Sequence, residues 1–197
     1  SSYGQFAYIS IKNDATYKNH VNDSSITHSL GVSADSVDTL YIRSGNILFP
    51  SVNITNNVCD LYTAFRVFPT MGTGSPISET FCISYSSVVN NTNIRYYGCL
   101  VFDRPDSSAR VNTCNILDNK QTSSNYGTIY VYANLLIENS CILGNNENNK
   151  VFYEGTSSNK ITISNCTLDD DIFTNGRHYG SVTVIKTIDR TFIHALS

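Results

Sequence analysis

The sequence predicts an all-β protein folded as a single-stranded, right-handed parallel β-helix, a solenoid of about six to seven coils. Three observations support this fold class: an apolar block that recurs at a nearly constant spacing, a second recurring block that starts with glycine, and the lack of a sustained 3.6-residue apolar period. Amphipathic helices would show that period, so helical repeats are not expected. The right-handed sense follows from the strong bias of parallel strand connections.

The first block starts with an apolar anchor, continues with polar residues and ends apolar; it is clearest at 137–143, Ile-Glu-Asn-Ser-Cys-Ile-Leu. The recurring anchors are Ile54, Ile83, Val111, Ile137 and Ile163. Their sequence numbers increase by 29, 28, 26 and 26 from one anchor to the next. A period of this length is typical of repeat architectures, so we expect the five anchors to stack in one inward-facing column.

The second block is a glycine followed by β-branched and aromatic residues, at 98–102, 127–131 and 180–184. Such runs are typical of strands. Two or three short strands within about 26 residues fit one coil of a parallel β-helix. The alternative is an antiparallel β-sandwich, which would show hairpin contacts, whereas neighbouring coils contact each other at separations of about 25 to 29 residues.

Composition favours one domain that spans residues 1–197, since the 197 residues are 41% hydrophobic and 15% charged. We expect a fragment of a longer chain, because the sequence opens without a signal peptide and ends without a polar cap over the last sheet edge. The net charge of −3 and the absence of a Lys/Arg run argue against a nucleic-acid partner. No stretch of 18 apolar residues occurs, so membrane attachment is expected only through segments outside this chain.

Six cysteines are spread along the chain without a Cys-x-x-Cys pair or a histidine at zinc-ligand spacing, so they predict no metal site. Cys114, Cys141 and Cys166 occupy nearly the same slot of successive repeats. A small apolar thiol in such a slot is typical of a stacked core, which favours buried free thiols. Neighbouring coils lie within disulfide reach, so bridged cysteines are the open alternative.

Asparagines recur two residues after the anchors, at Asn56, Asn139 and Asn165, while Tyr85 and Thr113 take that slot in the two repeats between. Asparagine tolerates the left-handed backbone that a sharp corner requires, and its amide can bond the amide of the next repeat. We therefore predict that Asn56, Asn139 and Asn165 form a partial asparagine ladder.

Four asparagines lie in Asn-x-Ser/Thr sequons: Asn22, Asn53, Asn90 and Asn165. Asn165 cannot both stack in a ladder and carry a glycan, which leaves Asn22, Asn53 and Asn90 as possible N-glycosylation sites. Asn22 and Asn90 lie in polar loops and are the better acceptors. Their use would make the chain a glycoprotein.

Polar residues also follow the last apolar position of each repeat, at 90–91, 118–119, 145–146 and 170–171. A column of oxygens is the kind of site that binds Ca²⁺. The sequence lacks the Gly- and Asp-repeating nonapeptide of calcium β-rolls, so we interpret these residues as solvated turns. Accordingly no metal site and no cofactor are predicted.

Charged residues offer little for catalysis. The run of three aspartates at 169–171 and Glu154 form the main carboxylate cluster, but side chains of one turn point in different directions instead of facing each other across about 5 to 10 Å. Asp103, Arg104 and Asp106 share the most charged turn and would be the best candidates in an enzyme. The sequence therefore predicts no catalytic residue.

The Gly-x-Ile/Val-x-Val block at 127–131 and the Ile-x-Asn-x-Cys-x-Leu block at 137–143 resemble the Asn/Ser-rich, pectate-lyase-like right-handed β-helix repeats of large surface proteins in parasitic protists, trichomonads in particular. The resemblance covers roughly residues 45–190. It implies an adhesin-like ectodomain at the cell surface or outside the cell, of the kind often followed by one transmembrane segment and a short tail. No catalytic residue carries over, because no catalytic motif matches.

These observations predict a non-catalytic structural or adhesive module, a rigid spacer that presents loops to a protein or glycan partner or associates with itself end to end. Thirteen tyrosines and abundant serine and asparagine suit contact without a deep pocket. The expected contact loops are 69–76, 103–108 and 175–179. The alternative is a polysaccharide lyase or glycoside hydrolase of the pectin-lyase-like type, which would need acids and bases along one groove.

Overall fold

The computed structural model describes residues 7–10, 18–31, 39–43, 45–60, 62–68, 81–123, 125–145, 151–156, 158–169 and 181–187. Within these ranges the chain forms strands and turns but no helix, so the predicted all-β class is confirmed. The strand pairs of the described part are all parallel, and the alternative of an antiparallel sandwich is therefore wrong.

Most strands are short, and three of them, β13, β16 and β19, run for 15, 10 and 9 residues. The first ten strands are β1 (Ala7–Ser10), β2 (Lys18–His20), β3 (Ser24–Thr27), β4 (Leu30–Gly31), β5 (Leu40–Arg43), β6 (Asn46–Pro50), β7 (Val52–Thr55), β8 (Val58–Cys59), β9 (Tyr62–Phe68) and β10 (Phe81–Ser84). The next ten are β11 (Ser87–Val89), β12 (Thr92–Asn93), β13 (Gly98–Asn112), β14 (Asn115–Leu117), β15 (Lys120–Gln121), β16 (Ile129–Glu138), β17 (Cys141–Leu143), β18 (Phe152–Glu154), β19 (Lys160–Leu168) and β20 (Ser181–Thr187).

The strands form one curled sheet of sixteen strands and one narrow sheet of four. The narrow sheet, sheet C, consists of β4, β8, β12 and β15. Within the curled sheet, β3, β7, β11, β14, β17 and the end of β19 form sheet B, and the other strands form sheet A. Strand β19 pairs with β16 in sheet A and with β17 in sheet B, so the sheet bends around the core.

Paired residues of neighbouring strands are one sequence repeat apart. In sheet A, Ile83 pairs with Val111, Val111 with Ile137, and Ile137 with Ile163, so successive anchors of the sequence are direct partners. All four side chains are buried. The preceding member of this column is Phe49, which pairs with Ile83. These two residues are separated by more than one ordinary repeat, because the segment 69–80 comes between β9 and β10.

Ile54 lies outside this column, and the prediction that it stacks with the other four anchors is wrong. It pairs with Ile26 and Val88 in sheet B. The inward column of sheet B consists of Ile26, Ile54, Val88, Ile116, Ile142 and Leu168. Ile54 and Phe49 are both buried apolar residues that face inward. The sequence pattern therefore did not show that Phe49, near the end of β6, is the member of the sheet A column.

Four phenylalanines fill the interior behind sheet A: Phe49, Phe65, Phe81 and Phe102. Their ring centroids are 5.3 to 5.6 Å apart, with tilted or edge-to-face geometry. Pairs of this geometry contribute about 0.5–1.5 kcal/mol beyond the burial of their area. The rings therefore join three neighbouring repeats through one aromatic cluster.

Residues with left-handed backbone turn two corners in each repeat. At the A–B corner, between sheets A and B, these residues are Asp23, Ser51, Tyr85, Thr113, Asn139 and Asn165. At the B–C corner, between sheets B and C, they are His28, Asn56, Asn90, Asp118 and Gly144. Their φ angles lie between 46° and 68°. Asn, Asp and Gly adopt this range at the lowest cost, which explains their frequency here.

Candidate functional site

The predicted ladder of Asn56, Asn139 and Asn165 is divided between the two corners. At the A–B corner, Nδ2 of Asn165 donates a hydrogen bond to Oδ1 of Asn139 at 2.5 Å. Asn56 lies at the B–C corner, where its Oδ1 accepts from Nδ2 of Asn90 at 2.7 Å. Grouping Asn56 with the other two is therefore wrong, because it follows a strand of sheet B and they follow sheet A.

A second asparagine ladder, the inner ladder, lies directly inside the B–C corner. Its members are the fully buried Asn57, Asn91, Asn119 and Asn145. Each Nδ2 donates to Oδ1 of the next member at 2.9, 2.8 and 3.0 Å, and the backbone N–H donates to the same oxygen at 3.0 to 3.1 Å. The other Nδ2 hydrogen goes to a carbonyl of sheet B at 2.6 to 3.1 Å.

The inner ladder corrects the interpretation of residues 90–91, 118–119 and 145 as solvated turns. Only the first residue of each pair, Asn90 or Asp118, is exposed, whereas the asparagine after it is buried. Residues 146 and 170–171 lie outside the described part of the chain. The signal was present in the sequence, since a corner residue is followed directly by asparagine in four successive repeats.

Small polar side chains fill the inside of the A–B corner, in the order Ser86, Cys114, Ser140 and Cys166. The backbone N–H of Cys114 donates to Oγ of Ser140 at 3.1 Å, and the N–H of Ser140 donates to Sγ of Cys166 at 3.4 Å. Cys141 was predicted in the slot of Cys114 and Cys166, which is wrong because Ser140 takes that slot and Cys141 starts β17.

All six cysteines are free thiols, five of them buried and Cys82 half-buried. Burial raises the pKa of Cys114 from 9.0 to about 12 and also raises the pKa of Cys166. The thiolate is the nucleophile and the metal ligand, so a raised pKa keeps these side chains unreactive. Both thiols therefore act as packing and hydrogen-bonding groups.

The four sequon asparagines differ in their surroundings. Asn22 is exposed before β3, and its carbonyl accepts a hydrogen bond from Oγ of Ser24 at 2.7 Å. Asn90 is exposed at the B–C corner. Asn53 is half-buried in β7 between two paired strands, and the amide of Asn165 is engaged in the A–B corner. Asn22 and Asn90 are thus the most exposed of the four, although the amide of Asn90 is engaged with Asn56 as that of Asn165 is with Asn139.

The acidic residues do not gather into one site within the described ranges. Glu154 is buried and faces the core from β18. Asp169 lies at the B–C corner, where its carboxylate accepts a hydrogen bond from the N–H of Gly144 at 2.7 Å. Asp103 accepts two hydrogen bonds from the guanidinium of Arg66, at 3.0 and 2.5 Å.

Several predicted contact and candidate residues lie outside the described part of the structure. They are the loops 69–76 and 175–179 and the side chains of Arg104 and Asp106. At the turn 103–108, Asp103 and Ser108 are described and half-buried.

Five tyrosines, here called the tyrosine cluster, pack together where the chain passes from sheet C to sheet A: Tyr96, Tyr97, Tyr126, Tyr130 and Tyr153. Each ring contacts at least two others, with centroids 5.2 to 6.4 Å apart. Tyr130 and Tyr153 are cross-strand partners whose rings stack at 5.4 Å and 17°. Tyr97 meets Tyr130 edge-on at 5.2 Å.

The tyrosine cluster is fixed in place yet reaches solvent. Tyr96 is 47% exposed and the other four rings are half-buried. Burial, and to a lesser degree the Asp103 carboxylate, raise the pKa of Tyr130 above its ordinary value. Its hydroxyl therefore stays protonated, and able to donate, beyond the pH at which an ordinary tyrosine ionises. Mutual packing holds the rings in place before any partner binds.

Two glycines allow the connections to approach the sheet at the tyrosine cluster. A Cβ on Gly127 would lie 2.7 Å from the carbonyl carbon of Phe152, and one on Gly98 would lie 2.7 Å from the carbonyl oxygen of Gly127. Any larger residue would push one repeat away from the next. This requirement accounts for the glycine that opens the second sequence block.

The aromatic surface continues along sheet A toward the earlier repeats. The guanidinium of Arg66 lies over the ring of Tyr41 at 4.8 Å, and that of Arg43 over Phe68 at 5.8 Å. Arginine on an aromatic face contributes about 0.5–1 kcal/mol at exposed positions. The outer face of sheet A is thus lined with tyrosine, phenylalanine and arginine, residue types that are enriched at protein interfaces.

Among the described residues, no group of three or more His, Cys, Asp or Glu side chains is placed to hold a metal ion. The described part also contains no helix long and apolar enough to cross a membrane. A comparison of the chain with protein families, curated proteins and solved structures finds no match.

Proposed function

We propose that the chain is a single-domain, right-handed parallel β-helix of about six to seven coils, and that it serves as a rigid, non-catalytic contact module of a surface or extracellular protein. The register supports the solenoid: parallel partners in sheets A, B and C are one repeat apart. The inner ladder joins the same repeats at the B–C corner.

Stiffness follows from this arrangement. Each repeat bonds to the next through the sheets and through side-chain amides at the corners, so bending would break several hydrogen bonds at once. At the strand spacing of about 4.8 Å, six to seven coils make a rod about 30 Å long. Such a rod suits a spacer that holds a contact surface at a fixed distance.

The tyrosine cluster is the observation that carries the contact role. Tyrosine offers a large, rigid area and a hydroxyl at low conformational cost, which is why it is frequent in paratopes. Here the five rings are already ordered by one another, so binding would lose little further side-chain entropy. The proposed partner is a protein or glycan on another surface, with end-to-end self-association as the further possibility.

Adhesion of beads coated with the chain tests this proposal. The surfaces are cultured epithelial cells, mucin and extracellular-matrix proteins. Tyr96→Ala combined with Tyr126→Ala removes the exposed ring and a half-buried ring that it contacts, and is expected to abolish most adhesion. Tyr85→Asn is the matched control, because it removes a tyrosine that is 54% exposed at the A–B corner, outside the tyrosine cluster.

Equal adhesion of the double variant and the wild type would reject the tyrosine cluster as the contact surface. The enzyme alternative is tested with the same wild-type protein, incubated with pectin, other uronate polymers and glycosaminoglycans. Release of unsaturated or reducing sugar ends would replace the contact module by a polysaccharide lyase or hydrolase.

A further inference from the structure

The outer face of sheet A carries a groove that is separate from the tyrosine cluster. Its volume is about 530 Å³, within the range of about 300–1,000 Å³ that is typical of small-molecule sites. The side chains that matter for its chemistry are Ser108, Asn134, Leu136, Ser158, Lys160 and Thr162. Leu136 of β16 and Thr162 of β19 are cross-strand partners, so the groove lies over β16.

Unequal chain lengths in neighbouring repeats create this groove. Strand β13 has the segment 104–107 where β16 has the single residue Ala133. On the other side, residues 155–159 connect β18 to β19, while β16 runs straight through. The interior at this level is filled by the buried Ala133 and Leu135. At this level β16 is therefore flanked on both sides by longer stretches of chain, and its residues 134–136 line the groove between them.

The lining of the groove combines three apolar residues, Ala109, Leu135 and Leu136, with polar groups. Leu136 offers an apolar floor, and Ser158 and Thr162 offer hydroxyls. Asn134 offers its Nδ2, because its Oδ1 already accepts a hydrogen bond from the N–H of Lys160 at 3.1 Å. Lys160 is exposed and supplies the charged group of the described lining, which includes no carboxylate. The groove is therefore suited to a ligand with an apolar face, several hydroxyls and one negative charge.

An extended peptide fits this floor poorly. Peptides that bind to sheets do so by adding backbone hydrogen bonds to a free strand edge. Strand β16 is paired with β13 on one side and with β18 and β19 on the other. Only side chains are thus available, and a sugar ring can use them through its C–H face and its hydroxyls.

We propose that this groove binds one or two residues of an acidic sugar, with its carboxylate or sulfate group paired to the ammonium of Lys160. This inference goes beyond the proposed contact role of the tyrosine cluster. Either site can function without the other, since none of the five tyrosines lines the groove.

The test begins with an array of neutral, carboxylated and sulfated oligosaccharides probed with the wild-type chain. The strongest acidic binder and its neutral counterpart are then titrated by calorimetry against the wild type, Lys160→Met and Lys160→Arg. We expect the neutral sugar to bind about tenfold more weakly than the acidic one, Lys160→Met to lose that difference, and Lys160→Arg to keep most of it. The carboxylated and sulfated arms identify the acid.

Lys120→Met is the matched control, because Lys120 is also exposed but lies on β15 in sheet C, away from the groove. Lys160→Gln serves as the test if Lys160→Met does not fold. Absence of binding, equal binding of acidic and neutral sugars, or unchanged affinity of the Lys160 variants overturns the proposal. The bead assay separates the two proposals. If one of these negative sugar-binding results is found while the tyrosine variants lose adhesion and Lys160→Met keeps it, only the proposal for the groove is rejected.

Discussion

The side-chain amide of Asn57 donates a hydrogen bond to Oδ1 of Asn91 at 2.9 Å, although the two residues belong to different repeats of the chain. The backbone N–H of Asn57 bonds the same oxygen at 3.1 Å. Asn91 repeats both bonds toward Asn119. Three successive repeats are thus joined inside the core by one kind of side chain.

Replacement of Asn91 by alanine should be among the most damaging single changes in the chain. It removes the acceptor of two buried donors on Asn57 and the donor to the Ile54 carbonyl at 2.9 Å. Because each unsatisfied buried group costs about 1–3 kcal/mol, we expect a loss of about 3 kcal/mol in the free energy of unfolding. Urea denaturation measures it.

Asn90→Gly is the control for that experiment. Asn90 is exposed, the hydrogen bond from its amide to Asn56 is exposed as well, and its φ of 53° is one that glycine adopts freely. We expect its free energy of unfolding to change by less than about 0.5 kcal/mol. If the two variants lose similar stability, the inner ladder is not what holds this corner together.

Cys114→Ser should reduce the sensitivity of the fold to alkali. Burial raises the pKa of Cys114 from 9.0 to about 12, so the unfolded chain loses this proton first as the pH rises. The stability associated with Cys114 is therefore complete below about pH 9 and falls as the pH rises toward 12. Serine does not titrate in this range, so the fall should be shallower.

Serine already occupies the same corner slot at Ser86 and Ser140, so Cys114→Ser should cost only about 1 kcal/mol at neutral pH. Denaturation at neutral and alkaline pH compares the two slopes. Cys114→Ala, which also loses the hydrogen bonds, should be less stable than the serine variant at neutral pH. Identical pH slopes for wild type and Cys114→Ser would contradict this assignment.

Gly127→Ala should separate two repeats. Its Cβ would lie 2.7 Å from the carbonyl carbon of Phe152, and backbone cannot move aside without breaking the strand pairing beside it. We expect a loss of about 2–3 kcal/mol in the free energy of unfolding.

Gly155→Ala provides the comparison for this glycine. There the added Cβ meets side chains instead of backbone, namely the ring of Tyr132 and, at 2.8 Å, the hydroxyl of Tyr130. A smaller loss of about 1 kcal/mol is expected. Thermal unfolding of both variants measures the two losses. A larger loss of stability in Gly155→Ala than in Gly127→Ala would show that close backbone approach is not what makes Gly127 necessary.

Thr113→Asn should stabilise the chain. Thr113 is β-branched and has a φ of 55°, a conformation that costs β-branched residues more than asparagine. Asparagine is found at this corner in the next two repeats, at Asn139 and Asn165. We expect a gain of about 1 kcal/mol in the free energy of unfolding, measured by urea denaturation.

Thr55→Asn is the matched control for the corner substitution. Thr55 lies in β7 with ordinary strand backbone, where threonine is favoured over asparagine. Its free energy of unfolding should fall slightly, so the same chemical change is expected to have opposite signs at the two positions. A loss at Thr113 would indicate that its hydroxyl makes a contribution larger than the backbone strain.

The sequence predicted the all-β class and four of the five anchors because burial imposes a period on apolar residues. It placed Ile54 in the wrong column because Phe49 and Ile54 are both inward-facing apolar residues, and the repeat that starts there is longer than the others. The inner ladder left a readable signal, Asn57 and its equivalents after each corner, but a polar residue in a turn is more often solvated.

The tyrosine cluster had no comparable signal. Tyr130 of β16 pairs with Tyr153 of β18, and Ile137 of β16 pairs with Ile163 of β19. The two tyrosines are closer along the chain than the two isoleucines, so they do not follow the period of the anchors. Tyr97 and Tyr126 belong to connections of different repeats. Whether these two rings meet depends on the path of each connection, and a repeat period in the sequence does not predict that path.

The inner ladder also has a consequence for how such a chain can change over evolution. A segment cut at the same corner of two neighbouring repeats, such as residues 91–118, starts and ends facing the same set of hydrogen-bond partners. Tandem duplication or in-frame loss of that segment would lengthen or shorten the proposed solenoid and keep the amides of the inner ladder paired with one another. The length of such a chain can therefore change by whole repeats, one gene segment at a time.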